Sequence, residues 1–148
     1  MHKRVVITGL GIISPVGTGL ETFWSSLTGG ISGIRPVTRF DPAHFATKIA
    51  GEVIDFEPTG YIDRKEARRM DRFTQFAVAA TGMALEDAAL DLNTVDRGRI
   101  GVVLGSGIGG IETLEEQARI LAARGPGRVS PFFVPMMIGN MAADQISI

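Results

Sequence analysis

Residues 99–113 read RIGVVLGSGIGGIET, a stretch that combines a strand pattern, a glycine-rich turn and the start of a helix. Ile100 to Leu104 is a short, uncharged run rich in β-branched residues, which is typical of a strand covered on both faces of a parallel α/β sheet. The glycines of residues 105–110 leave a backbone to which another group could come close. Ile108 is the only large side chain in this turn. A helical pattern begins at Ile111 and is ended by Arg124, Gly125 and Pro126. The stretch therefore predicts an α/β fold.

The same turn, GSGIGG at residues 105–110, has the glycine spacing of a dinucleotide-binding motif. That motif requires an acidic residue about 20 positions further on to bind the ribose, and no acid lies around Ser130. The glutamates in the first turns of the following helix would also repel a pyrophosphate. A turn that needs glycine for tight packing of strand against helix is therefore favoured, and a dinucleotide-binding oxidoreductase is a distant alternative.

The composition excludes several other classes of protein. Of the 148 residues, 45% are hydrophobic and 21% are charged, with a net charge of −1, as in a globular protein rather than a disordered or nucleic-acid-binding one. The absence of cysteine excludes disulfides and cysteine metal sites, and agrees with a cytoplasmic location. The sequence shows no signal peptide, and it has no apolar run of the roughly 20 residues that would predict membrane insertion. We expect one domain over residues 1–148, without a metal or cofactor.

Before residue 57, the pattern predicts two strands, one helix and one loop. Their ranges are a strand over Arg4–Thr8, a helix over Leu20–Leu27 closed by Gly29 and Gly30, a loop over Ile31–Phe45 and a strand over Lys48–Phe56. His44 lies in the predicted loop without a second histidine or clustered acids nearby, so we expect a surface role for it rather than metal binding or catalysis.

A long helix with a basic start is predicted next. Asp63 reads as its N-cap with Glu66 three residues later, and the alanine-rich pattern continues to about Leu90. Five basic residues fall within an arc of about 140° on its first turns: Arg64, Lys65, Arg68, Arg69 and Arg72. On the pattern alone, a solvated helix face is favoured over a docking site for an acidic partner.

The last part of the chain is predicted to form a pocket-filling segment and a helix. Two prolines are expected to hold Arg128–Pro135 away from helical structure, and Phe132 and Phe133 within it should fill a pocket or an interface. The helix predicted from Met136 to Ile148 has no ending signal, so we expect the natural chain to continue beyond it.

Four stretches in this order resemble the β-ketoacyl-acyl-carrier-protein synthase II family. They are RVVITGLGIISPVG at residues 4–17, RKEARRMDRFTQFA at 64–77, GSGIGG at 105–110 and SPFFVPMMIGNMAA at 130–143. The resemblance implies a thiolase-like layered α/β fold, of which residues 1–148 would be the N-terminal part. It also implies a homodimer active in fatty-acid elongation.

Enzymes of this family use a cysteine that carries the acyl chain and two histidines that assist the condensation, and these residues are not among the motifs present. Neither His2 nor His44 matches a motif position, so the resemblance places the catalytic residues beyond residue 148 and implies that this stretch alone is inactive. Thiolases and the acetyl-CoA-priming synthases carry their cysteine earlier, so the resemblance favours the elongating class.

The resemblance also implies binding residues. Lys65, Arg68 and Arg69 match a basic patch that binds acyl carrier protein, loaded with acyl or malonyl groups, and Arg128 is a weaker candidate for the same partner. Ile108 matches a residue that lines the acyl pocket. Phe133 matches one that reaches toward the neighbouring subunit's pocket. A polyketide ketosynthase and a non-catalytic partner resembling a chain-length factor remain alternatives.

Overall fold

The computed structural model describes residues 3–148, so His2 lies outside the described residues. The chain divides into two compact units. The first comprises the chain up to Glu57 together with Met83–Ala89, and the second comprises Pro58–Gly82 and Leu90–Ile148. Within residues 3–148, no helix has the length and apolar character needed to span a membrane.

The first unit begins with a short hairpin and a helix. Strands β1 (Ile13–Ser14) and β2 (Gly17–Thr18) pair in antiparallel fashion, and helix α1 (Leu20–Thr28) follows directly. The helix ends where the N–H of Ile31 donates to the carbonyl of Ser26, at 2.9 Å, because Gly30 adopts a φ of 68° that favours glycine. The predicted helix and its glycine ending are confirmed.

A second antiparallel pair joins strands β3 (Ile34–Pro36) and β4 (Ile49–Gly51). The prediction of a continuous loop over Ile31–Phe45 is wrong at β3, because a strand of three residues is too short to show an alternating pattern of apolar and polar residues. Strand β4 covers only part of the strand predicted over Lys48–Phe56.

The carboxylate of Glu52 closes the turn that follows β3. It accepts a hydrogen bond from the Thr38 hydroxyl at 2.7 Å and from the backbone N–H groups of Thr38 and Arg39 at 3.1 and 3.3 Å. The hydroxyl bond, followed by the backbone bonds, lowers the pKa of Glu52 from its usual value, although partial desolvation opposes the change. The charged form of this carboxylate therefore holds the turn.

Two segments predicted as strands are not paired in a sheet. Arg4–Thr8 and Ile100–Leu104 form no ladder with any strand of the described residues, and both predictions are wrong in this respect. Val5 and Val103 are 92% and 101% exposed, so neither segment is covered. A β-branched pattern shows only that residues suit a strand, whereas a strand forms when a neighbouring chain satisfies its N–H and C=O groups.

The predicted long helix is two helices, α2 (Arg64–Ala67) in the second unit and α3 (Arg72–Asp87), whose residues from Met83 onward belong to the first unit. The Asp63 carboxylate caps α2, as predicted, by accepting the N–H of Lys65 at 2.8 Å. Asp71 interrupts the helical path because its carboxylate accepts the N–H of Phe73 at 3.3 Å, so a new helix begins there. Helix α3 ends before the predicted Leu90, near Ala89, whose φ is 48°.

Helix α4 (Ile111–Arg124) matches the prediction, including its end at Gly125, where φ is 79°. Two short helices follow, α5 (Phe133–Met137) and α6 (Met141–Ser147). The prediction that Arg128–Pro135 is non-helical is wrong at its end, because Pro135 lies in the first turn of α5, where its missing N–H has no intrahelical partner to lose.

The single helix predicted over Met136–Ile148 is interrupted between α5 and α6, where Ile138 is extended with a ψ of 137°. Buried apolar side chains of the second unit come from three of its helices and from the segment before α2: Ile62, Ala67, Ala79 and Ala142. Three of these four are alanines, so the buried apolar side chains of this unit are mostly small.

Candidate functional site

The glycine turn before α4 packs against the backbone of Met137, at the end of α5, and of Gly139. The N–H of Gly110 donates to the carbonyl of Met137 at 2.8 Å, and Gly109 has a φ of 83°. A Cβ placed on Gly109 would lie 2.6 Å from the Met137 oxygen and 3.1 Å from the Gly139 backbone. The turn therefore needs glycine for close backbone packing, which is the interpretation favoured from the sequence over a phosphate site.

A buried carboxylate, Asp71, fixes the beginning of α4. Its Oδ2 atom accepts hydrogen bonds from the backbone N–H of Thr113 at 2.8 Å and from the Thr113 hydroxyl at 2.6 Å. Both residues are buried, with 6% and 4% of their surface exposed. One free amide of the α4 N-terminus is thus already bound to a protein anion. A pyrophosphate would have to compete with this carboxylate, which further disfavours the dinucleotide alternative.

The sequence analysis did not identify Asp71 as a structural residue. Its position after Met70 and two residues before Phe73 is compatible with an N-cap, which was the available signal. Its bond to Thr113, 42 residues away in sequence, had no local signal at all.

The two residues expected at the acyl pocket lie on segments that are joined by backbone contacts. Ile108 stands on the glycine turn and is 72% exposed, whereas Phe133, the first residue of α5, is half-buried. The bond between Gly110 and Met137 holds the turn against the end of α5.

The three residues expected to bind a carrier protein, Lys65, Arg68 and Arg69, are called here the basic surface. All are exposed. Lys65 lies on α2, and the two arginines lie on the turn that leads to Asp71, so they share a short helix and its exit turn rather than one long helix. Arg128 is also exposed, at the end of the 3-10 turn Pro126–Arg128.

One member of the basic surface contacts an aromatic ring. The guanidinium carbon of Arg69 lies 5.3 Å from the centroid of the Phe132 ring, within the range of a cation–π interaction. Arg72 makes a similar contact with Phe76 on its own helix, at 4.9 Å. The Arg69–Phe132 contact was not predicted, because the two residues are distant in sequence and no periodicity relates them.

Among residues 3–148, no group of three or more histidine, cysteine, aspartate or glutamate side chains is arranged to hold a metal ion. His44 is exposed.

Comparison with known proteins adds to this description. The 3-oxoacyl-[acyl-carrier-protein] synthase 2 of Synechocystis sp. is 51% identical over 146 residues, which are 99% of this chain and 35% of that synthase. The solved ishigamide ketosynthase/chain length factor has a TM-score of 0.79 at 34% identity, over 96% of this chain and 36% of its own. A type II polyketide ketosynthase, solved in complex with its acyl-carrier protein, has a TM-score of 0.80 at 25% identity, over 99% and 38%.

The chain thus spans about a third of the length of the relatives that it matches. The likeness to solved ketosynthases confirms the expected thiolase-like α/β fold. A sequence profile of the β-ketoacyl synthase N-terminal domain matches residues 2–148. The chain therefore belongs to the β-ketoacyl synthase family, to whose N-terminal domain it corresponds.

Proposed function

We propose that the full-length protein containing this chain condenses an enzyme-bound acyl thioester with malonyl-acyl-carrier protein in fatty-acid elongation, as a cytoplasmic homodimer. The observation that carries this proposal is the 51% identity to a 3-oxoacyl-[acyl-carrier-protein] synthase 2 over nearly all of this chain. In this reaction the malonyl group loses carbon dioxide, the resulting carbanion attacks the thioester carbonyl, and the enzyme thiolate leaves. The product is 3-oxoacyl-acyl-carrier protein.

The 148 residues would contribute binding rather than bond making. The sequence contains no cysteine, so we place the thiol nucleophile in the remainder of the full-length protein. The proposal gives Ile108 and Phe133 to the acyl pocket. It requires no cofactor.

The basic surface would bind the acidic carrier protein. Its three side chains are exposed and basic, and they lie on α2 and its exit turn, so an acidic helix or loop could approach them together. Charges at the rim of an interface mainly accelerate association and set partner preference. Arg128 is proposed as a further contact for the same partner.

Replacing Lys65, Arg68 and Arg69 by glutamate in the full-length enzyme tests this assignment. We expect KM for malonyl-acyl-carrier protein to rise on the order of ten-fold at low ionic strength, with little change in kcat, because association is electrostatically steered. The difference from wild type should shrink as salt screens the charges.

A matched control reverses Arg35, Lys48 and Arg99, which are also exposed and change the net charge equally. This control should leave KM near the wild-type value. Equal effects of both triple variants would show that only the net charge matters, and an unchanged KM in the first would remove the basic surface from the proposal.

A polyketide ketosynthase or a chain-length-factor-like partner is the second candidate, because the ishigamide ketosynthase/chain length factor has a TM-score of 0.79 with this chain. Steady-state assays of the purified full-length protein separate the candidates. A single 3-oxoacyl product formed from an acyl primer supports elongation, whereas repeated extension of unreduced products would support the polyketide activity. Absence of condensation without a second subunit would support the non-catalytic partner.

A further inference from the structure

We infer that Phe132 is a positioning residue for the basic surface, because its ring holds the Arg69 side chain in the orientation that meets the carrier protein. This inference rests on the proposed function. Its starting observation is the 5.3 Å distance between the Arg69 guanidinium carbon and the Phe132 ring centroid.

The backbone beneath Arg69 is fixed from within the second unit. The side-chain amide of Gln75 donates to the carbonyls of Ala67 and Met70, at 2.8 and 3.2 Å, and so spans the turn on which Arg69 lies. Asp71, two residues after Arg69, is buried and bonded to Thr113. The remaining freedom of Arg69 is therefore in its side chain.

The ring of Phe132 is mounted on an equally constrained segment. The buried side chain of Gln117 accepts the N–H of Ser130 at 2.7 Å. The Ser130 hydroxyl accepts the N–H of Phe132 at 3.1 Å, and the Ser130 carbonyl accepts the N–H of Phe133 at 3.0 Å. Gln117 lies on α4, so α4 fixes the start of this segment. The Phe132 ring is therefore held in one place, where a long cationic side chain can pack against it.

The ring is only partly buried. Within residues 3–148, Phe132 is 45% exposed, so its ring can contact a side chain at the surface. A ring of this kind restricts the rotamers of an arginine while leaving its N–H groups free to bind a carboxylate. Pre-ordering the side chain reduces the entropy that is lost when the partner binds.

A double-mutant cycle in the full-length enzyme tests the inference, with the dissociation constant for purified acyl carrier protein as the readout. Phe132→Leu should weaken binding about two- to five-fold, the size of an exposed cation–π contact. Phe132→Tyr, which keeps the ring, should bind like wild type. In an Arg69→Ala background, Phe132→Leu should have no further effect.

Lys65→Ala is the matched background, because it removes a different charge of the same surface. There, Phe132→Leu should still weaken binding about two- to five-fold. If Phe132→Leu weakens carrier-protein binding equally in the Arg69→Ala background, the inference is overturned. It is also overturned if Phe132→Tyr binds more weakly than wild type and has a lower melting temperature, because the role of the residue would then be merely structural.

The failure of this inference can be distinguished from the failure of the proposed function. If Arg69→Ala weakens carrier-protein binding but Phe132→Leu does not, the positioning role is wrong and the proposed function stands. If the wild-type enzyme shows no salt-dependent binding of acyl carrier protein, the proposed function fails and this inference fails with it.

Discussion

At the scale of single residues, the second unit depends on one carboxylate, Asp71. It begins α3 by accepting the N–H of Phe73 and begins α4 by accepting two hydrogen bonds from Thr113. Each helix start has N–H groups without partners inside the helix, and a single buried anion satisfies groups at both. The two helices, which are far apart in sequence, are therefore fixed to each other through their first turns.

Replacing Asp71 by alanine should lower the free energy of unfolding of the full-length protein by about 3 to 5 kcal/mol, because a cap and two hydrogen bonds to a charged group are lost at a buried position. Asp71→Asn keeps one acceptor oxygen and should cost about half as much. Urea unfolding followed by circular dichroism measures both.

Thr113→Val is the control for the hydroxyl alone, since it leaves the backbone N–H bound to Asp71. This variant should lower the free energy of unfolding by about 1 to 2 kcal/mol, which is less than the loss expected for Asp71→Ala. If the urea concentration at the midpoint of unfolding were the same for Asp71→Ala as for wild type, the role assigned to this carboxylate would be contradicted.

At the scale of elements, local signals predicted the helices better than the strands. Helices α1 and α4 follow from their periodicity and from the glycines at their ends, which act within a few residues. The pairing of β3 with β4 and the missing pairing of Arg4–Thr8 depend on distant parts of the chain. The break between α2 and α3 was missed because alanine-rich periodicity continues across it, although the Asp71 carboxylate that accepts the N–H of Phe73 there is a local capping signal.

The candidate site shows the same division. Exposure of the basic surface and the need for glycine at the turn could be read from charge and residue type. The contacts of Asp71 with Thr113 and of Arg69 with Phe132 could not, because each joins residues whose spacing follows no helical or strand period.

Gly109→Ala should be one of the most costly changes to the glycine turn. The new Cβ would lie 2.6 Å from the Met137 carbonyl oxygen, which belongs to the backbone, and the residue would have to keep a φ of 83°. Together the clash and the left-handed conformation should cost about 2 to 4 kcal/mol of folding free energy.

Gly107→Ala is its matched control in the same turn, because a Cβ there meets nothing within 4 Å and its φ is not positive. That change should alter the free energy of unfolding by less than about 0.5 kcal/mol. Thermal unfolding of the two variants side by side checks the difference, and similar melting temperatures would mean that the turn does not depend on close packing against Met137.

At the scale of the whole molecule, large apolar side chains remain exposed on the segments that had the pattern of covered strands. Val5, Ile7 and Val103 are 92%, 82% and 101% exposed. The chain spans 35% of the Synechocystis synthase, so residues that would pair with a given segment need not belong to these 148. Sequence periodicity identified which segments suit a sheet, but it does not identify the neighbouring strand with which a segment pairs.

The most specific prediction for the full-length enzyme concerns Ile108, proposed to line the acyl pocket. Because it is 72% exposed on its turn, Ile108→Phe should fold normally, with an unchanged melting temperature. The larger ring should occupy space that a long acyl chain needs, which should cost about 1 to 3 kcal/mol in the acylation step and slow acylation by long chains roughly 10- to 200-fold. Short primers, which do not reach the residue, should react at nearly the wild-type rate.

Acylation rates over a C6 to C16 series, with Ile108→Val as the control that adds no volume, measure the effect. A uniform loss across all chain lengths, accompanied by a lower melting temperature, would instead mean that Ile108 only packs the turn between Leu104 and α4.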